Sequence, residues 1–172
     1  MSKAVEMPQD LFELYAEFGM ASENAQLLET EAGNAAICYY AMFVNTNEIT
    51  DEQRKIFKAL FDDVNRKTLG AALKHLKSIG TFDSALLKAI DEGLEKRNYL
   101  IHKFFRTHNF AIQNEEGRKA MIHELVEIRQ SLYKTLGILT AVTKSLSQFA
   151  GIPEISAEEL QNLIAAGRNK HV

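Results

Sequence analysis

The chain is poor in residues that cross-link, break or anchor a fold. Among its 172 residues there is one cysteine, Cys38, and no tryptophan. A single thiol excludes an intramolecular disulfide and a cysteine-based zinc site. Cys38 lies in the apolar run AAICYYAMF, where it reads as a small buried hydrophobe rather than a reactive group. No apolar run approaches the roughly 18 residues that a membrane-spanning helix needs. The opening MSKAVEMPQD has no apolar core of a secretory signal. These absences lead to the expectation of a soluble, cytoplasmic protein with no membrane contact. Positive charge is scarce too, with 20 Lys and Arg against 23 Asp and Glu, a net charge of −3. That excludes a basic arm for nucleic acid, so any RNA contact must be local and small.

Proline occurs twice, at Pro8 and Pro153, and residues 9–152 contain none. Alternating apolar and polar runs are also missing, whereas i, i+3, i+4 spacing is everywhere. Together these predict an all-α, up-and-down bundle of four to five main helices plus a short C-terminal helix. A disordered segment is expected over residues 1–9, the bundle over 10–151, and a helix with a polar tail over 152–172.

A first long helix is predicted to start with Asp10 as its cap, with Gly19 or Gly33 as a kink. Leu11, Leu14, Tyr15, Phe18, Ala25, Leu28, Ala32, Ala35 and Tyr39 form its apolar face. VNTNEIT reads as a loop, and Thr50 caps the next helix. TLGAALKHLKSIG reads as a short helix closed by Gly80. Asp83 is the cap candidate for the helix that ends in RNYLIHKFF, and a second long helix follows from Glu115 to Gly151. Ser156 caps the last, which either packs on its own bundle, the simpler expectation, or reaches a partner.

Metal chemistry finds little support in the spacing. No histidine has glutamate three residues before it, as a di-iron bundle requires. HELVE at 123–127 lacks the second histidine of a zinc-protease helix. Phosphate-binding glycine loops are absent, so no metal site and no cofactor is expected. His75, His123 and His171 read as surface or packed residues. His108, in the turn after the motif helix, is within reach of the same region.

Residues 97–102 break the pattern. Leu87, Ile90, Leu94, Ile101 and Phe105 form one stripe at 100° per residue. Position 97 or 98 should continue it, yet Arg97 and Asn98 stand there. Arg97 is therefore expected to point towards an interior or an interface. There a guanidinium needs a carboxylate, a partner or a ligand anion. Asn98 and His102, four apart, share a face. Two readings stand: a structural arginine with an ion pair and a hydrogen-bonded histidine, or a chemical site.

Arg97, Asn98 and then His102 after four intervening residues resemble the Arg-x(4–6)-His motif of the HEPN superfamily. A polar residue directly after the arginine is typical of that motif. KTLGAALKHL followed by EKRNYLIHKFF also resembles bacterial HEPN-like proteins, over about residues 10–150. The resemblance implies a helical bundle that dimerises through its motif helices, and metal-independent cleavage of RNA in a toxin or in phage defence. It gives His102 the role of general acid and base, Arg97 that of phosphate holder, and Asn98 that of orienting His102 or substrate. Lys96, Lys103 and Arg106 would add local positive charge for RNA. An antitoxin or regulatory protein is the partner implied. The toxin branch that pairs with a nucleotidyltransferase carries tyrosine two residues after the histidine. Here that position is Phe104, although Tyr99 lies nearby. The alternative is a non-catalytic bundle that binds a protein or nucleotide and serves regulation.

Overall fold

The computed structural model describes residues 7–44, 49–66 and 83–168. They form an all-α bundle: α1 (Gln9–Ala41), α2 (Asp51–Arg66), α3 (Ser84–His102), α4 (Phe104–Thr107), α5 (Glu115–Phe149) and α6 (Ala157–Arg168). A 3-10 turn at Ala111–Gln113 precedes α5. No strand occurs among the described residues. The helix expected over TLGAALKHLKSIG, with His75 and Gly80, lies outside them, as do residues 1–6 and the tail from Asn169.

Local chemistry explains most helix starts. The Thr50 hydroxyl accepts from the Gln53 amide at 3.2 Å, and the Gln53 side chain accepts from the Thr50 amide at 2.9 Å. Ser156 and Glu159 form the same reciprocal box at α6. Asp83 accepts from the Ala85 amide at 2.6 Å, and Asn114 from the Gly117 amide at 2.8 Å. Asp10 is a correction. The cap position of α1 is Pro8, whose carbonyl takes the Leu11 and Phe12 amides, and Asp10 lies in the first turn. Gln9 therefore belongs to a helix, not to a disordered segment. Neither Gly19 nor Gly33 interrupts α1, which is assigned as one helix of 33 residues.

The core is a seam between α1 and α5. Leu14, Ala21, Ala25, Leu28, Ala32 and Ala35 on α1 are buried, as are Met121, Leu125, Ile128, Leu132 and Leu139 on α5. Both sets recur at intervals of three, four or seven residues, the spacing of helices that pack along their length. Alanines on α1 leave room for the larger side chains of α5. Asp10 pairs with Arg118 and Glu17 with Arg129, so α1 and α5 run parallel. Thr135 packs at Gly93 while Glu124 lies by Tyr99, so α3 runs antiparallel to α5. A Cβ on Gly93 would meet Thr135 Cγ2 at 2.6 Å, which marks how closely these helices approach.

The α3 stripe differs from its expected register. Ile90, Gly93, Leu100 and Phe104 are buried, whereas Ile101 is 42% exposed. On α1, Tyr15 is also exposed rather than core. α5 closes at Gly151, with φ +67°, and the Ile152 amide reaches back to the Ser147 carbonyl at 3.0 Å. Beyond it, α6 makes no substantial contact with another helix among the described residues, and its described side chains are exposed. The simpler expectation, packing on its own bundle, is not what the structure shows.

Candidate functional site

Arg97 occupies the stripe position between Gly93 and Leu100, and its side chain is 15% exposed. Its guanidinium pairs with the Glu29 carboxylate of α1. Nη1 also donates to Asn98 Oδ1 at 3.0 Å. Arg97 Nε is buried without a hydrogen-bond partner among the described residues. The inward expectation for position 97 holds, and the anion that meets it is a carboxylate of the same chain.

Asn98 and His102 stand on the solvent side of α3. With its oxygen on Arg97, Asn98 has its amide nitrogen left to donate outward. His102 is the last residue of α3, and its side chain makes no hydrogen bond or ion pair among the described residues. Arg97 and His102 are therefore neighbours on one helix end without a direct bond. Lys96, Lys103 and Arg106 are exposed and unpaired among the described residues.

Lys103 breaks the helix at φ −125°, and α4 then turns Phe104 into the core. Phe105 meets Phe18 with ring centroids 4.8 Å apart and Tyr15 at 6.0 Å. These contacts fix the C-terminal end of the motif helix against α1. On the other side, His108 Nε2 lies 2.7 Å from Glu124 Oε2 and 3.3 Å from the Tyr99 hydroxyl. Burial first, then the bond and charge of Glu124, raises the Tyr99 phenol above its ordinary value. His108 is thus directed to α5, away from His102. Sixteen residues separate His108 from Glu124, and no local spacing announces that pair.

The remaining candidates are dispersed. His123 is 79% exposed and lies 3.7 Å from Glu127 on its own helix. Cys38 is half-buried, and burial, followed by the charge of Glu31, pushes its thiol up. No group of three or more metal-ligating side chains gathers among the described residues. No helix among them is long and apolar enough to cross a membrane. A cleft of about 370 Å³ between α3 and α5 is lined by Ala89, Glu92, Glu127, Gln130, Ser131, Lys134, Thr135 and Ile138. None of Arg97, Asn98 and His102 borders it.

No protein-family model, curated protein or solved structure matches this chain.

Proposed function

We propose that this bundle is a metal-independent endoribonuclease of HEPN type. The observation that carries the reading is the exposure of Asn98 and His102, one turn apart, beside the anchored Arg97. His102 takes the proton of a ribose 2′-hydroxyl, whose oxygen attacks the adjacent phosphorus. His102 returns that proton to the 5′-oxygen as the P–O5′ bond breaks, and the product carries a 2′,3′-cyclic phosphate. Arg97 exchanges the Glu29 carboxylate for the phosphate and offsets charge on the five-coordinate phosphorus. Asn98 orients the substrate. Lys96, Lys103 and Arg106 supply the local positive charge. A second copy facing the first across α3 brings two such sets together. The activity suits a toxin or defence effector restrained by an antitoxin or regulatory protein.

A second reading draws on the Arg97–Glu29 pair. Arg118–Asp10 and Arg129–Glu17 also join an arginine to an acid of α1. Arg97 fits that series as a structural clamp, in a non-catalytic bundle that binds a protein or nucleotide. RNA cleavage in EDTA, wild type against His102→Ala and Arg97→Ala, separates the two. Both variants are first checked for folding by circular dichroism. Cleavage by the wild type that is lost in folded His102→Ala supports the nuclease. No cleavage by the wild type over varied RNAs leaves the binding module.

A further inference from the structure

Three arginines reach an acid of α1, and Arg97 does so differently from the other two. Arg118 and Arg129 donate through Nε, to Asp10 at 2.6 Å and to Glu17 at 2.9 Å. Arg118 adds a bond from Nη1 to the Ile112 carbonyl at 3.0 Å. Arg97 ties Nη1 to Asn98 and meets Glu29 through Nη2. Its Nε is buried and faces no acceptor among the described residues. Nε and Nη2 form the side-on edge of a guanidinium, a fork that takes two oxygens of one anion. At Arg97 that fork is half filled, and a buried donor left unpaired is costly.

Glu29 is also the acid best placed to leave. Its side chain is 32% exposed, against 17% for Asp10 and 18% for Glu17. Water is therefore at hand to solvate its carboxylate once the pair opens.

We propose that Glu29 is a built-in competitor for the anion site at Arg97. The chain rests with its own carboxylate in the place of a ligand phosphate, and the phosphate must displace it. Phosphate as the ligand rests on the nuclease reading of residues 97–102, whereas the role of Glu29 rests on the geometry of the pair. A carboxylate tethered to α1 meets Nη2 alone. A free phosphate has no tether, and its oxygens can accept from Nε and Nη2 together. The exchange replaces one ion pair by another and adds the bond to Nε. Asn98 stays on Nη1, so the guanidinium keeps its orientation as the anion changes. Exposed, unpaired Lys96 is the next residue and favours an incoming anion. The resting pair lowers the fraction of chains open to ligand, and apparent affinity falls by that fraction.

The test titrates the full chain with inorganic phosphate at constant ionic strength. Calorimetry gives the affinity, and the Nε–H resonance of Arg97 in 15N-labelled protein locates the site. Glu29→Gln keeps the shape of the side chain and removes its charge. It should bind phosphate at least about tenfold more tightly than the wild type. The gain should vanish when Glu29→Gln is combined with Arg97→Met. Where Glu29→Gln does not fold, Glu29→Asp draws the carboxylate back by one methylene and should also bind more tightly than the wild type. Equal or weaker binding by the folded variant overturns the proposal. So does a gain that survives the loss of Arg97. RNA cleavage in EDTA is measured alongside, and an active enzyme should show a lower KM in Glu29→Gln. If neither protein cleaves RNA, the nuclease reading fails, and the phosphate titration alone decides the role of Glu29.

Discussion

Arg97 of α3 and Glu29 of α1, 68 residues apart in the chain, share an ion pair at the edge of the core. The guanidinium is largely covered and the carboxylate about a third exposed. The pair therefore stands between the surface case, worth little, and the buried case, where loss of one partner is costly. Arg97→Ala is expected to cost about 1–3 kcal/mol in urea unfolding. Glu29→Gln should destabilise in the same direction. The double variant Arg97→Met with Glu29→Leu should recover much of the loss, because no charge is then left unpaired. Additive losses in that cycle would show that the two side chains are not coupled.

His102 should behave differently. It is exposed and makes no bond among the described residues, so His102→Gln should change stability by no more than about 0.5 kcal/mol. A clearly lowered midpoint in thermal unfolding would mean that His102 has a structural partner. This contrast makes His102, rather than Arg97, the clean probe of RNA cleavage.

Gly93 sets the distance between α3 and α5. Its missing side chain admits Thr135, and a methyl there would lie 2.6 Å from Cγ2 and 2.9 Å from Oγ1. Gly93→Ala is expected to cost about 1–3 kcal/mol despite the better helix propensity of alanine. Thr135→Ala in the same chain should restore part of it, measured by denaturant midpoints. Failure of Thr135→Ala to help would place the strain elsewhere.

Asp10 gives a pH dependence with a definite sign. The hydrogen bond from Arg118, at 2.6 Å, holds its carboxyl below the ordinary value of 3.8, against an opposing effect of burial. A carboxyl depressed in the folded state binds its proton more readily when unfolded. Its contribution is therefore present above pH 3.8 and is lost as pH falls below it, through the folded value. Asp10→Asn should lower stability at neutral pH and flatten the loss as pH falls below 3.8. Parallel curves for wild type and variant would remove Asp10 from the acid transition.

The caps at Thr50, Asp83 and Ser156 were legible in the sequence, because a capping side chain bonds within three residues. The inward turn of Arg97 was legible from the stripe it interrupts. The register of that stripe was not. Reading by hydrophobicity selects Leu94 and passes over Gly93, yet the glycine is the buried residue and leaves no room for a Cβ beside Thr135. One residue is 100° of helix, so the pattern rotates and puts Ile101 inside in place of Leu100. The break at Lys103 then re-aims Phe104 and Phe105, which no periodic pattern crosses. The acid that meets Arg97 lies on a distant helix, as does the Glu124 that holds His108. Pairing across 68 and 16 residues is a property of the packed bundle, not of local spacing.

Gly151 joins the bundle to its last helix. At φ +67° it lies where a side chain is strained, and its turn returns the Ile152 amide to α5. Space is not the obstacle, since nothing lies within 4 Å of a Cβ there. Gly151→Ala should therefore cost about 1 kcal/mol through backbone strain alone. Because the turn ends α5 rather than filling the core, the cost should fall on the last turns of α5. Hydrogen exchange should then quicken at the amides of residues 147–152 while those of Leu125 to Leu132 keep their protection. Uniform loss of protection would show instead that the turn is coupled to the whole bundle.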